Sequence, residues 1–169
     1  MSQFSHPWAA LLLALASAGL HGSALALQPG QALPVASLPG SGTAAMPLHD
    51  GKAKLTYIDF WASWCGPCRK SMPWMNQMQQ KFGPQGLRIV AINLDAQRAD
   101  AERFLKQVPA TVPLAFDPSG DSARRFAVKA MPTSLLVGAD GKVIEVHQGF
   151  REEDPARLEA RFAALLAQP

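Results

Sequence analysis

Cys65 and Cys68 are the only cysteines in the chain, and they stand three residues apart in Trp64-Cys65-Gly66-Pro67-Cys68. At that spacing, at the start of a helix, two sulfurs come within bonding reach and can cycle between dithiol and disulfide. Exchange needs an attacking thiolate, and a free cysteine is mostly protonated at neutral pH. A helix N-terminus favours the thiolate through its unpaired N–H groups and its macrodipole. Cys65 is therefore the expected nucleophile. Cys68, one turn further in, is expected to be more buried, to keep a higher pKa and to resolve the mixed disulfide. Gly66 permits close approach, and Pro67 suits a first helical turn. Arg69 and Lys70 add positive charge nearby, both expected to point to solvent. Asp59 is the one charged residue in the apolar run 55–61, and burial without a charge partner raises a carboxyl pKa.

Two other uses of a close cysteine pair compete with redox cycling. One is half of a zinc or copper site. His147 is the one candidate for a distant further ligand, read as an exposed strand residue, and His49 falls in an N-terminal arm. The other is a structural staple, but closing so short a loop constrains the unfolded chain little.

The elements that must position these residues follow from pattern. Residues 55–61 read as a buried strand, and a helix is expected from about 65 to 82 with Pro73 kinking it. Gly83-Pro84 ends that helix. A second apolar strand is expected over 87–94, a helix over 97–108, a short strand over 114–116 and a short helix over 121–128. Strands over 133–137 and 143–147 flank the turn Ala139-Asp140-Gly141. Asp154 is expected to cap a last helix, with Pro155 at its first position and Leu158, Phe162, Leu165 and Leu166 as its buried stripe. Residues 28–53, rich in Gly, Pro, Ala and Ser, read as an arm with weak strands over 33–38 and 46–49. Strands alternating with helices imply a parallel core, to which the terminal hairpin adds an antiparallel edge.

The 169 residues suffice for one domain with a sizeable core. The net charge of +3 comes from 16 basic and 13 acidic residues. The basic residues are scattered rather than clustered with aromatics, which argues against nucleic acid as a partner. Residues 8–20 are apolar but short for a bilayer span. Ala24 and Ala26 then form an A-x-A cleavage pattern. Residues 1–26 are thus expected to be a signal peptide cut after Ala26, with an uncleaved anchor as the alternative, and no Lys or Arg precedes the apolar stretch. Export means an oxidising compartment.

The segment from Asp59 to Cys68, Asp-Phe-Trp-Ala-Ser-Trp-Cys-Gly-Pro-Cys, resembles the active-site segment of thioredoxins. Pro73 falls at that family's helix proline, Met131-Pro132-Thr133 at its cis-proline loop, and Gly149 at the glycine after its last strand. With the leader, the arm and the extra segment 97–128, the chain resembles the TlpA/ResA/CcmG branch of the thioredoxin superfamily over about residues 30–167. The resemblance implies an α/β thioredoxin fold over 27–169, a central mixed sheet flanked by helices, with an N-terminal hairpin or arm and a β-α insertion. It implies a periplasmic thiol–disulfide oxidoreductase with no cofactor beyond the Cys65–Cys68 disulfide and no metal.

By the same resemblance Asp59 is the acid/base for Cys68. The Met131 backbone beside Pro132 pairs with target polypeptide as an added strand. Trp64, Gly66 and Pro67 line the target site, Trp61 packs beneath it, and Trp74 packs after the kink. The Gly-Pro dipeptide is similar to that of reducing thioredoxins, so reduction of disulfides in exported proteins is the expected direction. An oxidase or isomerase is the alternative. The implied electron donor is a DsbD-like membrane protein, and a monomer is expected. Two positions depart from the pattern. Ala91 stands where thioredoxins carry a lysine near the buried aspartate, and Ser71 where the ResA/CcmG branch often has a glutamate. These departures weigh against a specific assignment to cytochrome c maturation.

Overall fold

The computed structural model describes residues 27–168. The expected signal peptide and its cleavage after Ala26 lie outside the described residues. The arm folds into a small antiparallel pair, β1 (Ser37–Pro39) with β2 (Ala45–Pro47). These strands are shorter than the apolar runs suggest, since Pro39 and Pro47, which lack a backbone donor, stand at their ends.

The core is a five-stranded sheet. Its centre is β3 (Leu55–Trp61), buried on both faces, as its near-continuous apolar run demands. β4 (Leu87–Asn93) runs parallel to it, and the short β5 (Leu114–Phe116) runs parallel to β4. On the other side β6 (Thr133–Gly138) lies antiparallel to β3, and β7 (Val143–Gln148) antiparallel to β6. The order is β5-β4-β3-β6-β7. This is the mixed α/β sheet expected from the sequence.

α1 (Cys68–Phe82), α2 (Arg98–Gln107) and α4 (Asp154–Leu166) cover the face carrying Leu55, Tyr57, Asp59 and Trp61. Phe162 of α4 meets the rings of Tyr57 at 5.3 Å, Trp74 at 5.7 Å and Phe82 at 6.1 Å. The arm and the single-turn α3 (Asp121–Arg125) cover the opposite face, over Ile58, Phe60, Val90 and Ile92.

Several boundaries depart from the sequence reading. α1 starts at Cys68 rather than 65, because the Pro67 carbonyl is the first to accept helical bonds, from Lys70 and Ser71 at 3.0 and 3.1 Å. α3 stops at Arg125 because Ala127 takes a positive φ of 52°. Asp154 does not cap α4. It is buried, and its carboxylate instead accepts the Arg151 N–H at 2.7 Å.

Candidate active site

The parallel strands β3 and β4 end together, and the cysteine motif leaves from that end. Cys65 and Cys68 are joined as a disulfide with Cα atoms 5.3 Å apart. Cys68 is fully buried and Cys65 is 5% exposed, the expected order. The Cys68 N–H, first in α1, donates to Cys65 Sγ at 3.2 Å. Cys65 thus lies one turn ahead of α1, with its sulfur in the place of a capping oxygen. On reduction this N–H and the positive end of α1 stabilise charge on Cys65 rather than Cys68.

The loop before the motif is held by a residue that sequence reading missed. Asp95 accepts the Ser63 N–H at 3.0 Å and the Ser63 hydroxyl at 2.9 Å. Asn93, the last residue of β4, donates its side-chain amide to Asp95 at 2.8 Å. Both Asn93 and Asp95 are buried. The only available signal was a polar Asn-Leu-Asp triplet closing an otherwise apolar strand.

Met131-Pro132 is a cis peptide, as the resemblance implies. The Pro132 carbonyl accepts the Gly149 N–H at 2.7 Å, and Gly149 takes a φ of 88°, which explains a glycine there. Thr133 Oγ1 donates to the Ala130 carbonyl at 2.7 Å and closes the loop. Trp64, 71% exposed, and Met131 line one shallow pocket of about 330 Å³ with Leu94, Ala123 and Val128. That pocket brings the cysteine motif and the cis-proline loop together. Gly66 and Pro67 are exposed beside it. A Cβ on Gly66 would meet nothing within 4 Å, so the chain's own packing does not require glycine there.

Asp59 is 1% exposed, and among the described residues its Oδ2 has no hydrogen-bond partner. Burial pushes its carboxyl well above the usual carboxylate range. Ala91 is its neighbour in the parallel register, so no cation comes from that strand. Tyr57, two residues earlier on the same face, is buried. Trp61 packs on Phe104 with ring centroids 5.0 Å apart, and Trp74 is the packing residue expected.

Arg69 is exposed, as expected, with its guanidinium 5.0 Å over the Phe104 ring and donating to Gln107 at 3.3 Å. One expectation is corrected. His147 is not an exposed strand residue: its side chain is 13% exposed, with Nε2 3.2 Å from Asp154 Oδ2. The register of β7 turns it toward α4 rather than outward. His49 sits 3.4 Å from the Thr56 hydroxyl, far along the chain from the cysteines.

A sheet of this topology, with a disulfide-forming pair at the head of α1 facing a cis-proline loop, defines the thioredoxin-fold thiol–disulfide oxidoreductases. The chain belongs to the Redoxin family, whose model matches residues 28–162, and it is of the TlpA/ResA/CcmG-like kind. It is 37% identical over 112 residues to the thiol-disulfide oxidoreductase ResA of Bacillus thuringiensis subsp. konkukian. That match covers 66% of this chain and 64% of the relative, so the chain spans less than two thirds of the relative's length. A crystal structure from Chlorobium tepidum, provisionally described as a thiol:disulfide interchange protein DsbE, superposes with a TM-score of 0.79 at 49% identity. It covers 84% of this chain and all of that one. StoA from Bacillus subtilis superposes with a TM-score of 0.65 at 22% identity over 79% of this chain and 99% of its own. At that identity the likeness concerns the fold alone.

Proposed function

We propose that the chain is an exported reductant of disulfides in other exported proteins, working through Cys65 and Cys68. The observation that carries this reading is the Cys65 sulfur, placed at the head of α1 and accepting the Cys68 N–H. In the reduced chain the Cys65 thiolate attacks one sulfur of a target disulfide, and the other target sulfur leaves as a thiolate. Cys68 then gives its proton to the Asp59 carboxylate and attacks Cys65 Sγ. This forms the intramolecular disulfide and releases the second target sulfur. Two electrons pass to the target. Met131 and Pro132 offer the docking edge, and Trp64, Gly66 and Pro67 form the rim. Electrons return from a DsbD-like membrane donor, and the chain acts as a monomer in the periplasm.

Cys65→Ser is expected to abolish dithiol-driven insulin reduction. Cys68→Ala is expected to accumulate mixed disulfides whose partners mass spectrometry identifies. Equilibration with glutathione should give a potential nearer thioredoxin's, about −270 mV, than DsbA's, about −120 mV. Absence of mixed disulfides would remove the exchange role, and a potential near the DsbA value would reverse the direction. Protein recovered from the periplasm should begin at Leu27; retention of residues 1–26 would instead indicate the anchor.

A further inference from the structure

The cysteine motif stands between two unlike hollows. On one side Trp64 and Met131, with Leu94, Ala123 and Val128, line the pocket of about 330 Å³. That lining is apolar but for backbone and one charged side chain, Lys129. On the other side Ser63, the residue before Trp64, lines a smaller polar pocket of about 160 Å³ with Arg69, Asp100, Arg103, Phe104 and Gln107.

The acids around these hollows are engaged, and several of the cations are not. Asp100 is taken by Arg103 at 2.8 Å. Asp95 is buried and accepts from Ser63 and Asn93. Arg69 lies over the Phe104 ring and donates to Gln107, which carries no charge. Among the described residues Arg69, Lys70 and Lys129 form no ion pair, and all three are exposed. Acids further away have their own cations: Arg88 holds Asp50, Arg98 holds Glu102, Arg124 holds Asp121, and Arg157 and Arg161 hold Glu145. Glu152 and Glu153, in the loop after Gly149, form no ion pair among the described residues. They stand at the head of α4, whose positive end offsets them. The rim around Trp64 and Cys65 is therefore left with uncompensated positive charge.

We propose that the target segments this site accepts are acidic. This rests on the reading that Cys65 exchanges disulfides with other proteins, and it names the segments preferred. An apolar side chain beside the target cysteine fills the pocket of Trp64 and Met131. Carboxylates flanking it pair with Lys129 on that side of the motif and with Arg69 and Lys70 on the other. The apolar pocket alone would accept basic and acidic segments alike. The cations supply the discrimination, because a lysine brought to the same rim meets like charge on both sides of Trp64. Exposed charges of this kind also draw an acidic partner in before contact, an effect that salt screens.

The test is nitrogen-15 NMR of the oxidised chain at low salt, titrated with short peptides that differ only in charge. Each has serine in place of the target cysteine and valine on either side of it, with glutamate or lysine outside the valines. The acidic peptide is expected to shift the Trp64 indole N–H signal, identified by Trp64→Phe, and to bind severalfold more tightly than the lysine peptide. Lys129→Glu is expected to weaken the acidic peptide roughly fivefold and to strengthen the lysine peptide, in line with the worth of exposed ion pairs. Lys52→Glu makes the same change of charge at an exposed position before the start of β3, whereas the motif follows its end. It should leave both affinities near the wild type. Equal affinities for the two peptides, or no saturable shift with the acidic one, overturn the proposal. So does a loss in Lys52→Glu as large as that in Lys129→Glu, which would make the effect one of net charge. The titration involves no exchange. A chain that shows this selectivity yet reduces no disulfide therefore counts against the functional reading alone.

Discussion

Cys65 and Cys68 carry identical side chains, and the difference between them comes from one hydrogen bond and a few per cent of exposure. The Cys68 N–H points at Cys65 Sγ, while Cys68 itself, the first residue of α1, is fully buried. Trp64, beside them, is the opposite case: a large apolar side chain, 71% exposed, that buries little of the core. Removing it removes no packing. Trp64→Ala is expected to change unfolding free energy by less than about 0.5 kcal/mol, the range of ordinary surface substitutions. Its cost should appear in KM for a protein disulfide, raised severalfold, with turnover of a small dithiol–disulfide pair unchanged. Thermal melting and the two assays check this. A drop of several degrees in Tm would show that the ring supports the fold rather than the rim.

At the scale of elements, the cysteine motif is rigid because two strands hold its approach. The Leu94 N–H donates to the Trp61 carbonyl at 2.9 Å, extending the β3–β4 ladder by one step, and Asp95 then ties down Ser63. Asp95→Ala would leave the half-buried Ser63 donors and the buried Asn93 donor unpaired, at about 1–3 kcal/mol for a buried group. We expect a loss of about 2–4 kcal/mol in urea unfolding and slower reduction of targets, with Asp95→Asn milder on both counts. An alanine variant as stable as the wild type would mean that water replaces the carboxylate. None of this was legible in the sequence, because Ser63 and Asp95 lie 32 residues apart and meet only through the parallel register. His147 was misread for the same reason: alternation alone does not say which face α4 will cover. By contrast β3, β5 and the α4 stripe of Leu158, Phe162 and Leu166 were legible, since burial on one or both faces writes itself into local periodicity. The disulfide pair and Asp59 were legible because residue type alone set them apart.

Across the whole molecule, the buried carboxyls set opposing limits on stability against pH. Asp59 titrates above its unfolded value because burial opposes its charge. The native chain therefore holds that proton more tightly than the unfolded chain, whose aspartates titrate near 3.9. The stability this contributes is present below about pH 3.9 and is lost as pH rises through Asp59's own titration. Asp117 and Asp154 act in the other direction. Burial alone would raise both, but hydrogen bonds from Ser122 and Ser119 hold Asp117 below the usual range. The Arg151 N–H and the Arg157 guanidinium do the same for Asp154. Their contribution is present above the unfolded value and is lost as pH falls through their native titrations. Urea unfolding of the oxidised chain from about pH 2 to about pH 9 should show both limbs. Asp59→Asn is expected to remove the decline on the alkaline side and to gain on the order of 2 kcal/mol there, while the acid limb stays. Asp117→Asn should lower stability at neutral pH and flatten part of the acid limb. An Asp59→Asn curve parallel to the wild type at every pH would show that Asp59 titrates alike in the folded and unfolded chains. Its burial would then exert no hold on the proton.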